Sequence, residues 1–211
     1  MENTVPIDDQ PISATFFDTG SWLSDFVTPD EPDIILLWKS ITGSLNSKQD
    51  KIIAAWDWVA KQVKYKSFIH AQITVEGKTS YQEDFWQKPS MCSKTHVGNC
   101  ANKAFLLTSL LRNELGSEEV YCVLGNLYNG HSAGHAWVEA RIDGTNYIIE
   151  STRDDIPLIL ADTAERYEPV HYFNDQKILA VPGRTVLVPF QACYSTWLSD
   201  YLHQAYINGG R

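Results

Sequence analysis

The chain has 211 residues, 44% of them hydrophobic and 12% aromatic, enough to bury a full core within one domain carrying at most an appended element. Its formal net charge of -9, with no basic stripe to override it, argues against nonspecific binding to nucleic acid or anionic membranes. The start, Met1 to Asp9, has neither a basic run nor an apolar one, and no later segment reaches membrane-spanning length. A cytoplasmic chain whose four cysteines stay reduced is therefore expected.

Along the chain, Pro6, Pro11, Pro29 and Pro32 surround the apolar cluster Phe16, Phe17, Trp22 and Phe26, which predicts an irregular arm packed on the body. Asp33 to Ile41 is a short apolar run. After Asp50, Ile52, Trp56, Val59 and Val63 recur at helical spacing, so two helices are expected here. From Cys100 to Leu115, Ala104, Leu107, Leu111 and Leu115 line one face of a third helix, with Asn99 as its cap and Gly116 closing its end. Strands follow at Val120 to Leu124, His135 to Ile142 and Asn146 to Glu150, the last two joined by an Asp143-Gly144 turn. Further strands are expected at Ile178 to Val181 and Val186 to Val188. Tyr194, Trp197, Leu198, Tyr201, Leu202 and Ala205 then form a helical stripe. The organisation predicted is an arm and short helix over 1–45, a main domain over 46–190 and a C-terminal amphipathic helix over 191–211, with no internal repeat.

Cys100 opens a helix, where unpaired N–H groups and the positive end of the dipole favour a thiolate. Its own backbone N–H is placed to donate to an oxyanion formed when the sulfur attacks a carbonyl. A cysteine nucleophile needs an imidazole that also protonates the leaving group, and the imidazole needs an orienting acceptor. If Asp143-Gly144 is a two-residue turn, Ile142 pairs with Thr145 and Trp137 lies opposite Glu150, with His135 two residues further on the same face. Diagonal neighbours of this kind are about 7–8 Å apart at Cβ, which a glutamate and an imidazole can bridge. Glu139 shares the face, but four residues along a strand is roughly 13 Å, too far to hold the ring.

These blocks, Gly98-Asn99-Cys100, then Gly134-His135-Ala136-Trp137-Val138-Glu139, then Tyr147-Ile148-Ile149-Glu150-Ser151-Thr152, resemble the transglutaminase-like superfamily of papain-like cysteine enzymes. The Ile52 to Tyr65 helix and the Phe85 to Ser90 segment resemble its bacterial members, so the resemblance runs from about Asp50 to Asp155. It implies an α+β papain-like fold in which the helix bearing the nucleophile packs on an antiparallel sheet. It also implies Cys100 as nucleophile, His135 as acid/base, Glu150 as orienter, and Trp86 or Gln87 as the second oxyanion donor beside Cys100. The expected substrate is a peptide or protein amide. Glu150 stands where aspartate is more usual, and Asn99 and Asn102 stand where acidic residues often flank the cysteine.

Competing readings are weaker. Cys92, His96, Cys100, Cys122, His131 and His135 lack the paired spacing of a zinc site, so no metal or cofactor is expected. Gly130-His131-Ser132-Ala133-Gly134 matches the serine-hydrolase elbow, but that motif needs a helix after the serine, and a strand follows here; a loop is expected instead. A noncatalytic domain that binds a peptide in the same cleft, or transfer of the acyl group to an amine, are the alternatives to hydrolysis.

Overall fold

The computed structural model describes residues 12–14, 23–67, 69, 71–75, 78–82, 85–164 and 166–183. Phe16, Phe17, Trp22, Cys193, the strand expected at Val186 to Val188 and the C-terminal helix lie outside the described residues. The fold is α+β. Strand β1 (Ile12–Ala14) and a 3-10 turn at Leu23–Phe26 precede helix α1 (Pro32–Thr42), which has proline in its first turn, where a missing N–H costs nothing. Helix α2 (Lys48–Gln62) starts at Ser47, whose side chain accepts from the Asp50 N–H. Short strands β2 (Lys64–Tyr65), β3 (Ala71–Val75) and β4 (Lys78–Gln82) lead to helix α3 (Pro89–Thr95), strand β5 (Val97–Gly98) and helix α4 (Cys100–Leu111). Strands β6 (Val120–Tyr128), β7 (Ser132–Ile142), β8 (Thr145–Ile149), β9 (Ile159–Leu160), β10 (Tyr167–Phe173) and β11 (Ile178–Ala180) complete the chain.

The main sheet is antiparallel in the order β11-β10-β6-β7-β8-β9, while β1, β3 and β4 form a second sheet and β2 pairs with β5. Alternation along β7 sorts its side chains. Ala136, Val138, Ala140 and Ile142 enter the main core with α1, α2 and α4, whereas Trp137 joins Val123 and Ile148 on the other face, under Ile159, Ala164 and Tyr167.

Helix α4 departs from expectation in two ways. It is buried on every side from Ala101 to Leu111, where the spacing predicts a single apolar face. Its polar residues have internal partners: the Thr108 and Ser109 hydroxyls donate to the Ala104 and Phe105 carbonyls, and Lys103 Nζ donates to the carbonyls of Ala60 (3.1 Å) and Val63 (2.6 Å) at the end of α2. The helix also stops at Leu111 rather than Leu115, because the Asn113 and Glu114 N–H groups turn to the tighter carbonyls three residues back. Leu115 is still buried, and Gly116 N–H donates to the Glu119 carboxylate instead of closing the helix.

Other differences have local causes. Strand β10 sits inside the sheet but contains Pro169, which the ladder accommodates by a register shift between Pro169 and His171. Ser132 to Gly134, expected as a loop, already belong to β7 and pair with Tyr128 to Asn126. The segment after Ser132 is thus a strand, which excludes the serine elbow.

Burial pulls the Lys103 ammonium down to about 8, yet it donates to both of these carbonyls. Lys103→Met fits the space but leaves both carbonyls without it. The variant is expected to lose about 2 kcal/mol in urea unfolding; equal or greater stability would show that the carbonyls find water instead.

Candidate active site

Asn99 caps α4 by accepting from the Asn102 N–H at 3.0 Å, which fixes Cys100 as the first helical residue. The Cys100 and Ala101 N–H groups, which precede Asn102 in this turn, have no intrahelical acceptor and can donate to an anion formed beside the sulfur. Asn102, one turn in, accepts from the Gln87 N–H and donates to the Phe85 carbonyl. It thereby grips the backbone on both sides of Trp86.

The Asp143-Gly144 turn has positive φ at both residues (49° and 86°), the type I′ geometry of a two-residue hairpin. Register follows from it: Ile142 pairs with Thr145 and Val138 with Ile149. Glu150 is the first residue beyond this ladder. Because β8 ends there, β7 has no β8 partner at His135, and the ring is open to neighbours from outside the sheet.

His135 Nε2–H donates to Glu150 Oε2 at 2.7 Å. The other ring nitrogen, Nδ1, is left for the hydrogen bond that His135 makes with the Cys100 side chain. Burial alone would lower the basicity of this imidazole; the hydrogen bonds with Cys100 and Glu150, and their charges, outweigh it and raise His135 to about 10. Glu150 is 1% exposed, and although burial raises a carboxylate, the bond to His135 holds it below its ordinary value. Cys92 and Cys122, by contrast, are buried thiols, with Cys92 pushed up to about 12 and Cys122 pushed well above the ordinary range by loss of solvent.

Several residues at this site escape sequence reasoning. Thr152 donates to Glu150 Oε1 through both its N–H (2.9 Å) and its hydroxyl (2.7 Å). Tyr167 donates to Glu150 Oε2 at 3.2 Å, and burial, together with the Glu150 charge, pushes its phenol up, so that it remains a donor. Trp56, read from spacing as core, donates its indole N–H to the Glu150 carbonyl at 2.9 Å. Trp137 lies beneath His135 with ring centroids 6.1 Å apart and meets Tyr167 edge-on at 5.1 Å. Thr152 has a signal, a hydroxyl two residues after a carboxylate. Tyr167 has none, since it lies on the strand that Pro169 obscures.

Trp86 and Gln87 differ in what they do. Gln87 is fully buried, its amide oxygen accepting from the Thr95 hydroxyl at 2.9 Å and its nitrogen donating to the Val97 carbonyl at 2.8 Å. Both amide atoms therefore tie α3 to β5. Trp86 is half-buried and packs edge-on against Phe26 and Phe105, the latter one turn along α4 from Cys100.

Gly125 lies opposite His135 in the sheet, and a Cβ there would stand 2.5 Å from Trp137 Cη2 and even closer to the Glu168 carbonyl oxygen. Gly125→Ala is expected to cost about 1–3 kcal/mol and to tilt the indole under His135; unchanged stability and an unchanged His135 resonance would refute that support.

A second expectation concerns charge. Because His135 is raised from 6.5 to about 10, its contribution to stability is fully present below 6.5 and is lost as pH rises through 10. In Cys100→Ala the sulfur no longer holds the proton on the ring, so the imidazole titration followed by NMR should move down; a midpoint that stays at the parent value would show that the sulfur does not face the ring.

A family model described as a transglutaminase-like domain matches residues 37–163. Among solved structures, Legionella pneumophila LapG is similar at TM-score 0.53 and 13% identity over 81% of this chain and 87% of its own. Its EGTA-treated form gives TM-score 0.54 and 12% identity with the same coverage. A protein of Cytophaga hutchinsonii, provisionally described as a cysteine protease, gives TM-score 0.45 and 19% identity over 80% of this chain and 56% of its own. No curated protein matches the sequence. The LapG likeness, at such low identity, is one of fold. The family model covers more than half of the chain, and the chain belongs to the transglutaminase-like domain family.

Proposed function

We propose that this protein is a cysteine-nucleophile hydrolase that cleaves peptide or protein amide bonds through an acyl-enzyme on Cys100. The observation that carries the reading is one imidazole bonded to Cys100 on one side and, at 2.7 Å, to the buried Glu150 carboxylate on the other. The ring bridges a nucleophile and an orienter, which is the arrangement that cysteine acyl transfer requires.

In the proposed reaction the Cys100 sulfur attacks the carbonyl carbon, and the carbonyl electrons move onto oxygen. Helix-start N–H groups of α4, with Cys100 N–H the first of them, stabilise that oxyanion. We assign the second donor to Trp86, because the Gln87 amide is engaged with Thr95 and Val97. His135 gives its Nδ1 proton to the amine nitrogen as the carbon–nitrogen bond breaks, leaving a thioester. Water then attacks the thioester, His135 takes a proton from it, and collapse of the second tetrahedral species releases the acid and restores the thiolate and imidazolium. Glu150 holds the ring and its charge throughout and receives no proton. Tyr167 and Thr152 are positioning residues that act through Glu150.

The test is the rate of iodoacetamide alkylation of each cysteine against pH, read by peptide mass spectrometry in the parent and in His135→Ala. Near pH 7, below the roughly 8.5 at which a free thiol ionises, Cys100 should be labelled faster than Cys92 and Cys122 in the parent and should slow in the variant. Loss of peptide cleavage in Cys100→Ala completes the case. If Cys100 labels at the same rate in both proteins and the parent cleaves no peptide or amide, the hydrolase is replaced by the peptide-binding domain.

A further inference from the structure

A cavity of about 680 Å³ lies on the Glu150 side of the site, lined by Glu150, Tyr167, Leu127, Leu158, Ile159 and Arg166 among others. Resting on the hydrolase reading above, we propose that this cavity is the subsite for the leaving-group half of the substrate, and that it selects an extended peptide with an apolar residue followed by an acidic one.

Position gives the first reason. His135 faces Cys100 with one nitrogen and Glu150 with the other. The acyl half of a substrate stays with the sulfur, and the amine half leaves from the nitrogen that His135 protonates. Chain attached to that nitrogen leads away from the sulfur, and the cavity walled by Glu150 and Tyr167, beyond the imidazole, is the space assigned to it.

Lining chemistry gives the second. Leu127, Leu158 and Ile159 supply an apolar wall. Among the described residues the one carboxylate in the lining is Glu150, which is enclosed by donors from His135, Thr152 and Tyr167 and offers nothing to a cationic guest. Both charged side chains that remain are arginines. Arg153 forms a two-pronged pair with Asp155, and Arg166 is exposed with no ion-pair partner among the described residues. Arg166 is thus the cation that the described lining leaves without a carboxylate partner, a single charge complementary to a carboxylate on the guest.

The sheet gives the third. Strand β9, Ile159–Leu160, is the outermost strand beside β8 among the described residues and lines the cavity, its Leu160 carbonyl accepting from the Thr163 hydroxyl. An extended peptide can add to such an edge, with backbone hydrogen bonds giving affinity and alternate side chains giving selectivity.

The experiment uses the full chain with Cys100→Ala, which cannot turn over, and three fluorescein-labelled peptide pools. The pools are degenerate on the acyl side and carry Leu-Glu, Leu-Lys or Gly-Gly on the leaving-group side. Anisotropy titrations should show the Leu-Glu pool binding about three- to tenfold more tightly than Leu-Lys, the scale of a partly exposed ion pair, with Gly-Gly weakest. Adding Arg166→Glu, a surface change that leaves the core intact, should invert the order of Leu-Glu and Leu-Lys. Equal binding of the three pools, no saturable binding, or an order that Arg166→Glu leaves unchanged overturns the subsite. The two readings fail differently: selective binding to Cys100→Ala without cleavage by the parent removes the hydrolase and keeps the cleft, whereas cleavage without a leaving-side preference removes the subsite alone.

Discussion

A carboxylate that is 1% exposed has to be supplied with donors or it will not stay ionised. Glu150 takes them from three places: His135 on β7, Thr152 in the following loop and Tyr167 on β10. Its backbone carbonyl is held from a fourth, by Trp56 on α2. Much of the topology serves this one group. The sheet order places β10 next to β6 and β6 next to β7, so Tyr167 arrives from two strands away, where its ring meets that of His135 and both pack against Trp137. The result is a proton-holding imidazole whose orientation is fixed from below by an indole and from the side by a charge.

Helix α4 solves a related problem at the other end of the pair. Running through the centre of the core, it presents Cys100 at its first turn, but a helix enclosed on all sides must also satisfy every polar group it carries. Lys103 does so by binding the last carbonyls of α2, and Asn102 by binding the strand-like segment around Trp86. These two side chains lock α4 to its neighbours close to Cys100. Rigid support of this kind keeps a reacting atom within tenths of an ångström of its partner.

Much of this was legible before any coordinates. The Asp143-Gly144 pair favours a two-residue turn, and with that turn the register puts His135 and Glu150 on one face, where a three-residue loop would put them on opposite faces; the structure has the two-residue turn. Asn99 as a cap likewise places Cys100 at a helix start. What could not be read has physical causes. Period-3.6 spacing marks one apolar face of α4, but Thr108, Ser109 and Lys103 are buried through backbone bonds that leave no mark in hydropathy. Pro169 hides β10, and with it Tyr167, because a proline argues against an interior strand unless a bulge is present to absorb it. Between Trp86 and Gln87 the sequence offers no choice, since only the packed structure shows where the Gln87 amide goes.

The bond from Trp56 to the Glu150 carbonyl closes a loop of 94 residues, and the Tyr167 and Thr152 bonds close short ones. Long loops close late, because their entropy is lost before their contacts form. A chain that has made α4 but not yet docked α2 against the sheet therefore carries the thiol without a fully braced imidazole. The setting of the imidazole thus depends on contacts that span most of the fold, from α2 to β10, and not on the β7–β8 hairpin alone.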